Sequence, residues 1–177
     1  MPIELLVVGV VRRNSQVLLV RQGGPDGPGT AWALPGGHVD AAELAVEALA
    51  REIKEETGLT INGVPRLVCV GQMVNPTTIE RDAGEVPPAG GSAIILSCEV
   101  TSFDGALDSS ADPDADVAEV AWHPDDAAAA LLARHPFPFV RATSRESLTR
   151  HAGDPHNVAE CYFRRQATGE DVALVLE

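Results

Sequence analysis

The sequence predicts a mixed fold of strands and helices, α+β or α/β, in one domain spanning 1–177. Three observations point there. Short β-branched apolar runs alternate along the chain with longer segments of helical periodicity. Apolar residues make up 45% of 177 residues, enough for a sizeable core, while aromatics are only 4%, so Ala, Val and Leu have to fill it. Gly and Pro punctuate the chain at short intervals, and no stretch repeats internally.

Ile3 to Val11 is β-branched and apolar and reads as a buried strand. Arg12-Arg13-Asn14-Ser15 turns the chain, and Gln16 to Arg21 returns as the second strand of a hairpin. Gly23 to Gly29, with Pro25 and Pro28, reads as irregular loop. Trp32-Ala33-Leu34 is a short extended piece held so by Pro35, and Gly36-Gly37 allows a turn closed to other residues. Asp40 and Glu43 have capping-box spacing, with Asp40 as N-cap of a helix that runs to Thr57 and ends at Gly58. Leu67 to Val74 and Ser92 to Val100 are strands, separated by a long loop, Asn75 to Gly91. Asp104 to Asp116 is acidic and turn-rich. Val117 to Trp122 is a further strand, and Pro124 with Asp125 and Asp126 opens a helix through Arg134 that Pro136 and Pro138 stop. The final stretch, 136–177, adds a helix, Ser144 to His151, and a hairpin of Val158 to Arg164 with Val172 to Leu176.

The net charge of −13 repels polyanions and anionic surfaces, so neither nucleic acid nor a membrane is expected as a partner. A small phosphorylated ligand carried in with a cation remains compatible. Cys69, Cys98 and Cys161 are odd in number and widely spaced, which predicts buried thiols in a reducing cytoplasm rather than disulfides. No signal or membrane-spanning segment is visible.

Gly36 to Leu59 holds the chemistry. On a wheel of roughly 100° per residue, Glu52, Glu55 and Glu56 share about 100° of one helix face. Ala45 and Ala48 lie in the same sector and leave room for ions or backbone. Leu49, Ile53, Val46 and Ala50 form the expected core stripe, and Glu47 and Arg51 are an i, i+4 pair. Three carboxylates on one face suit a hard divalent cation that bridges to phosphate oxygens, with a carbonyl of the Gly36-Gly37 turn as a further ligand. Taken alone, the cluster also reads as a solvated acidic face, which is commoner.

From Gly37 to Leu59 the sequence resembles the box of the Nudix hydrolase family, G-x5-E-x7-R-E-U-x-E-E-x-G-U, where U is a bulky aliphatic residue. All nine fixed positions over 23 residues are met, and Trp32 to Gly37 resembles the segment that leads into the box. The resemblance implies an α/β/α sandwich on a mixed sheet. It also implies hydrolysis of a nucleoside diphosphate linked to another group, with Mg²⁺ or Mn²⁺. Glu52, Glu55 and Glu56 become metal ligands and Gly36 a carbonyl ligand. Glu52 is the preferred base toward water, and Arg51 and Glu43 orient the others. A homodimer is compatible with the family. The alternatives are a non-catalytic nucleotide-binding regulator and an isoprenyl-diphosphate isomerase. The complete acid set argues against the first, and no cysteine context supports the second.

Arg21 and Trp32 before the box, and His38 beside its Gly-Gly turn, are candidate substrate contacts, each with a plain structural role as its alternative. Glu80, Asp82, Glu85, Asp112, Asp114 and Asp116 are candidate loop acids. Glu99 is expected to face outward from its strand, and Glu119 is open to either role.

Overall fold

Residue alternation along one hairpin organises the molecule. The computed structural model describes residues 3–24, 27–75, 90–110, 117–150, 158–165 and 171–174. Its strands are β1 (Ile3–Arg13), β2 (Gln16–Gly24), β3 (Gly27–Ala33), β4 (Gly36–His38), β5 (Thr60–Ile61), β6 (Arg66–Val74), β7 (Ser92–Val100), β8 (Phe103–Asp104), β9 (Glu119–Pro124), β10 (Ala159–Arg165) and β11 (Asp171–Leu174). Its helices are α1 (Ala45–Thr57), α2 (Asp125–Leu132) and α3 (Pro138–Thr149). Nine strands form one sheet in the order β11-β10-β6-β7-β1-β2-β3, with β4 also on β1 and β9 also on β2. Strands β1 and β7, and β6 and β10, run parallel, and the other pairs of this sheet are antiparallel.

On β2, Leu18 packs with Leu49 and Ile53 of α1, while Val17 and Leu19 pack with Ala128 and Leu132 of α2. Neighbouring residues of a strand point to opposite faces. Helix α1 therefore covers one face of the sheet and α2 the other. Helix α3 joins α2 on that second face, through Phe139 against Cys69, Ile95 and Phe163. The expected mixed fold is found, with helices on both faces of a mixed sheet.

Several expected boundaries move. The helix begins at Ala45, with Leu44 as N-cap, rather than at Asp40. Ala42 has a positive φ of 66°, and Glu43 folds back onto the Asp40 N–H, so the capping-box residues close a turn before the helix instead of its first turn. The Gly23–Gly29 loop is shorter than expected, because β2 continues to Gly24 and β3 starts at Gly27. Pro138 does not merely stop the preceding helix: it occupies the first turn of α3, which therefore starts six residues before Ser144.

The core stripe of α1 is also rotated. Val46 is 44% exposed and Ala50 is exposed, whereas Ala48, Leu49, Ile53 and Glu56 are buried. Ile53 lies so close to β1 that a methyl on Gly9 would sit 2.7 Å from its Cδ1. The small residues Gly9 and Ala48 draw the acidic edge of α1 down toward the sheet.

Glu99 likewise faces inward rather than outward. It is 5% exposed and forms an ion pair with Arg12 at 3.2 Å. All three cysteines are buried and free, as expected. Among the described residues no helix is long and apolar enough to cross a membrane.

Candidate active site

Strand β4 brings the Gly-Gly turn against the middle of the sheet, pairing Val8 with Gly36, Val7 with Gly37 and Leu6 with His38. Gly36 has a φ of 144°, and an added Cβ would meet the Val7 carbonyl oxygen at 2.2 Å, so only glycine fits. At Gly37 the neighbour is the Glu52 carboxylate: a Cβ there would lie 2.5 Å from its Oε1. The bare glycine backbone is what lets this carboxylate lie on the turn.

Arg51 is the centre of the acidic face. Its Nε and Nη2 donate to the two oxygens of Glu43 at 3.0 and 2.9 Å. Its Nη1 donates to Glu52 Oε1 at 2.8 Å and to Glu55 Oε2 at 3.4 Å. Nη2 also donates to the His38 carbonyl at 3.1 Å, tying α1 to β4. The anticipated pair with Glu47 does not form, because Glu47 accepts the Leu44 N–H at 2.9 Å instead. Arg51 holds the Glu43 carboxyl below the usual range, chiefly through their hydrogen bond. Burial pushes the Glu52 carboxyl up, and Arg51 only partly opposes that.

Glu56 is placed differently. It is 6% exposed, and its Oε2 accepts the Gly36 N–H at 2.7 Å. Its Oε1 accepts from the side-chain amide of Gln22. Both oxygens are thus engaged by groups of the sheet, while Glu52 and Glu55 share one guanidinium nitrogen. Among the described residues no three His, Cys, Asp or Glu side chains converge tightly enough to form a metal cage by themselves. The donor chemistry nevertheless suits a hard cation. Glu52 and Glu55 are oxygen donors already gathered around one positive group, and the glycine turn adjoins them.

The candidate substrate contacts do not all lie at this face. Arg21 and Trp32 are cross-strand partners, and Trp32 packs with the α2-side cluster, opposite the glutamates. Arg21 donates to Glu119 at 3.1 Å, and Trp32 meets His123 edge-on at 4.6 Å. His38 lies at the site through its carbonyl, while its exposed ring reaches Glu4 at 3.4 Å. Gln22 was missed in the sequence. It follows Leu18 and Val20 on the α1-facing side of β2, and a polar residue ending that apolar series was the available signal. The candidate loop acids Glu80, Asp82, Glu85, Asp112, Asp114 and Asp116 lie outside the described residues.

A family model described as the NUDIX domain matches residues 4–143. The chain belongs to the NUDIX family. An ADP-ribose pyrophosphatase of Methanocaldococcus jannaschii is 43% identical over 53 residues, 30% of this chain and 31% of that protein. A putative 8-oxo-dGTP diphosphatase of Mycobacterium tuberculosis is 40% identical over 58 residues, 33% of this chain and 41% of that protein. The matched stretches thus span less than half of these curated relatives. The mutator MutT protein of Bacillus halodurans superposes with a TM-score of 0.63 at 22% identity, covering 96% of this chain and 94% of its own. That likeness shows a shared fold. In this NUDIX chain the box residues therefore stand on the expected architecture, with Arg51 bridging three of its acids.

Proposed function

We propose that this NUDIX chain hydrolyses a diphosphate bond in a small nucleoside diphosphate derivative, a nucleotide or nucleotide-sugar, with Mg²⁺ or Mn²⁺. The observation that carries the reading is the Arg51 bridge: Glu52 and Glu55 meet on one guanidinium nitrogen beside a glycine turn. Repelling carboxylates gathered this way form a site for positive charge. Glu52, Glu55 and Glu56 would hold the ion, with the Gly36 carbonyl as a further oxygen donor. When bound, the divalent ion offsets charge on phosphoryl oxygens and makes water a better nucleophile.

The chain's own groups do the rest. Glu52, the acid whose carboxyl burial has raised, takes the proton from the attacking water. The water oxygen forms a new bond to one phosphorus, the bridging P–O bond breaks, and the other phosphoryl group leaves as a phosphate. Arg51 and Glu43 keep Glu52 and Glu55 in register. Gln22 and the Gly36 N–H fix the carboxylate plane of Glu56.

The curated relatives are named for ADP-ribose and 8-oxo-dGTP, which supports a nucleotide-containing substrate. The net charge of −13 favours a small, ion-neutralised substrate over a polyanion. The test is turnover of ADP-ribose, nucleotide sugars, dinucleoside polyphosphates and nucleoside triphosphates with Mg²⁺. At least one should be hydrolysed by wild type, and Glu55→Gln and Glu56→Gln should each lower kcat by about 10²-fold or more. No turnover of any panel member by wild type, or turnover by both variants unchanged from wild type, would overturn the proposal.

A further inference from the structure

On the opposite face of the sheet from the glutamates, α2 and α3 do not close on each other. The gap between them is a cavity of about 770 Å³, within the range that holds a small organic ligand. It is lined by facing helical stripes: Asp125, Ala129 and Leu132 on α2, and Arg141, Ala142 and Leu148 on α3. The alanines are the reason for the gap, since their side chains are too short to interdigitate between the two helices. Arg12 closes the inner end. It pairs with Glu99 on β7 and Asp125 on α2, and donates to the Leu148 carbonyl on α3 at 2.6 Å. That three-way clamp fixes the spacing of the helices, so the cavity is built into the fold.

The charges lining it are not all balanced. Arg12 has its two acids, Arg145 at the rim has Glu146 at 3.1 Å, and Asp126, exposed at the first turn of α2, accepts the Ala127 N–H at 2.8 Å. Arg141 is half-buried and has no ion-pair partner among the described residues. One of its nitrogens is pinned by the carbonyls of His135 and Pro136, at 2.7 and 3.1 Å. The guanidinium is thus held in place while its Nε and Nη2 keep donor capacity. A planar fork fixed in this way matches a carboxylate or phosphate, and less ordering entropy is lost on binding. An immobilised arginine with no ion-pair partner among the described residues thus stands over the apolar part of the cavity, with the exposed Asp126 as the one further acid in the lining.

We infer that this cavity binds a small organic anion, an apolar body carrying one carboxylate or phosphate head. The body lies on Ala129, Leu132, Ala142 and Leu148, and the head meets Arg141. This site is independent of the diphosphate chemistry on the other face.

The experiment is an NMR titration of the full chain, followed through the backbone amides of Ala129 and Ala142. The probes are 4-phenylbutyrate, phenyl phosphate and, as the uncharged control, 4-phenylbutanol. Saturable shifts at these amides are expected with at least one anion, about tenfold tighter than with the alcohol. The arm that binds more tightly identifies the head group. Arg141→Gln should bring anion and alcohol to equal affinity. Ala129→Trp, at an exposed position, should fill the cavity and remove binding of all three while the thermal unfolding curve shows that the fold survives. Equal affinity of anions and alcohol for wild type, or the absence of saturable shifts at millimolar probe, would overturn the inference. Self-association of the chain through these same amides in place of probe binding would overturn it too, because the gap would then be an interface between copies.

Discussion

Replacing Arg51 by methionine keeps most of the side-chain volume and removes the charge that holds the acidic face together. Arg51 makes a two-pronged contact with Glu43 at 2.9 and 3.0 Å and single contacts with Glu52 and Glu55. The arginine side chain is 30% exposed, and Glu43 and Glu52 are 17% and 16% exposed, so these pairs are only partly screened by solvent. Fully exposed pairs contribute about 0.2–1 kcal/mol each, and a forked arginine–carboxylate contact stands at the upper end. Adding the repulsion left among three unneutralised acids, the loss is about 2–3 kcal/mol at neutral pH. For a chain of this length that lowers Tm by about 5–10 °C. The pH dependence has a definite sign. Glu43 has a lowered carboxyl pKa, so its stabilising contribution is present above the unfolded value and is lost as pH falls through the folded one. Glu52 is raised, so its ionisation opposes folding as pH rises through its folded value. Wild type should therefore lead Arg51→Met clearly at neutral pH, and the two should converge on acidification through the carboxylate range. Thermal unfolding by circular dichroism, without divalent ions, measures both. A Tm change under about 1 °C, or a difference that does not vary with pH, would refute the reasoning.

Gly36→Ala should destabilise by about 2–4 kcal/mol, because the backbone angle is closed to alanine and the new methyl strikes the Val7 carbonyl. Gly37→Ala, which meets only the movable end of Glu52, should destabilise far less; chemical denaturation of the two variants checks the contrast. Burial pulls His135 down to about 4. The unfolded chain thus takes up that proton first, and stability should be complete above the ordinary histidine value and fall by about 1–3 kcal/mol as pH drops through the window between the two. His135→Gln should flatten that slope in urea titrations run across the same range.

The fold was legible wherever periodicity and punctuation agreed. The β-branched runs gave β1, β6 and β7, and Gly58 marked the end of α1. The start of α1 was misread because Asp40 and Glu43 satisfy a cap's spacing while the backbone at Ala42 has already turned away. The rotation of α1 was not legible, since a wheel shows where side chains point but not how near a neighbouring strand can come. That nearness depends on Gly9, which lies far from α1 in sequence and beneath it in space. The same limit applied to Glu99: only the tertiary position of Arg12 makes an inward carboxylate affordable. At the site, spacing alone grouped the box acids on one face. It could not divide them into Glu52 and Glu55 on Arg51, and Glu56 on Gln22 and Gly36, because that division is made by β2 and β4.

The central claim is that the α1 carboxylates beside the glycine turn hold a divalent cation. Titrating Mn²⁺ into the protein and following free Mn²⁺ by electron paramagnetic resonance tests it without requiring a substrate. Wild type should show saturable binding, and the double variant Glu52→Gln/Glu55→Gln, whose circular dichroism should match wild type, should bind about tenfold or more weakly. Mn²⁺ binding of equal strength in both proteins would contradict the claim and move the cation to another part of the chain.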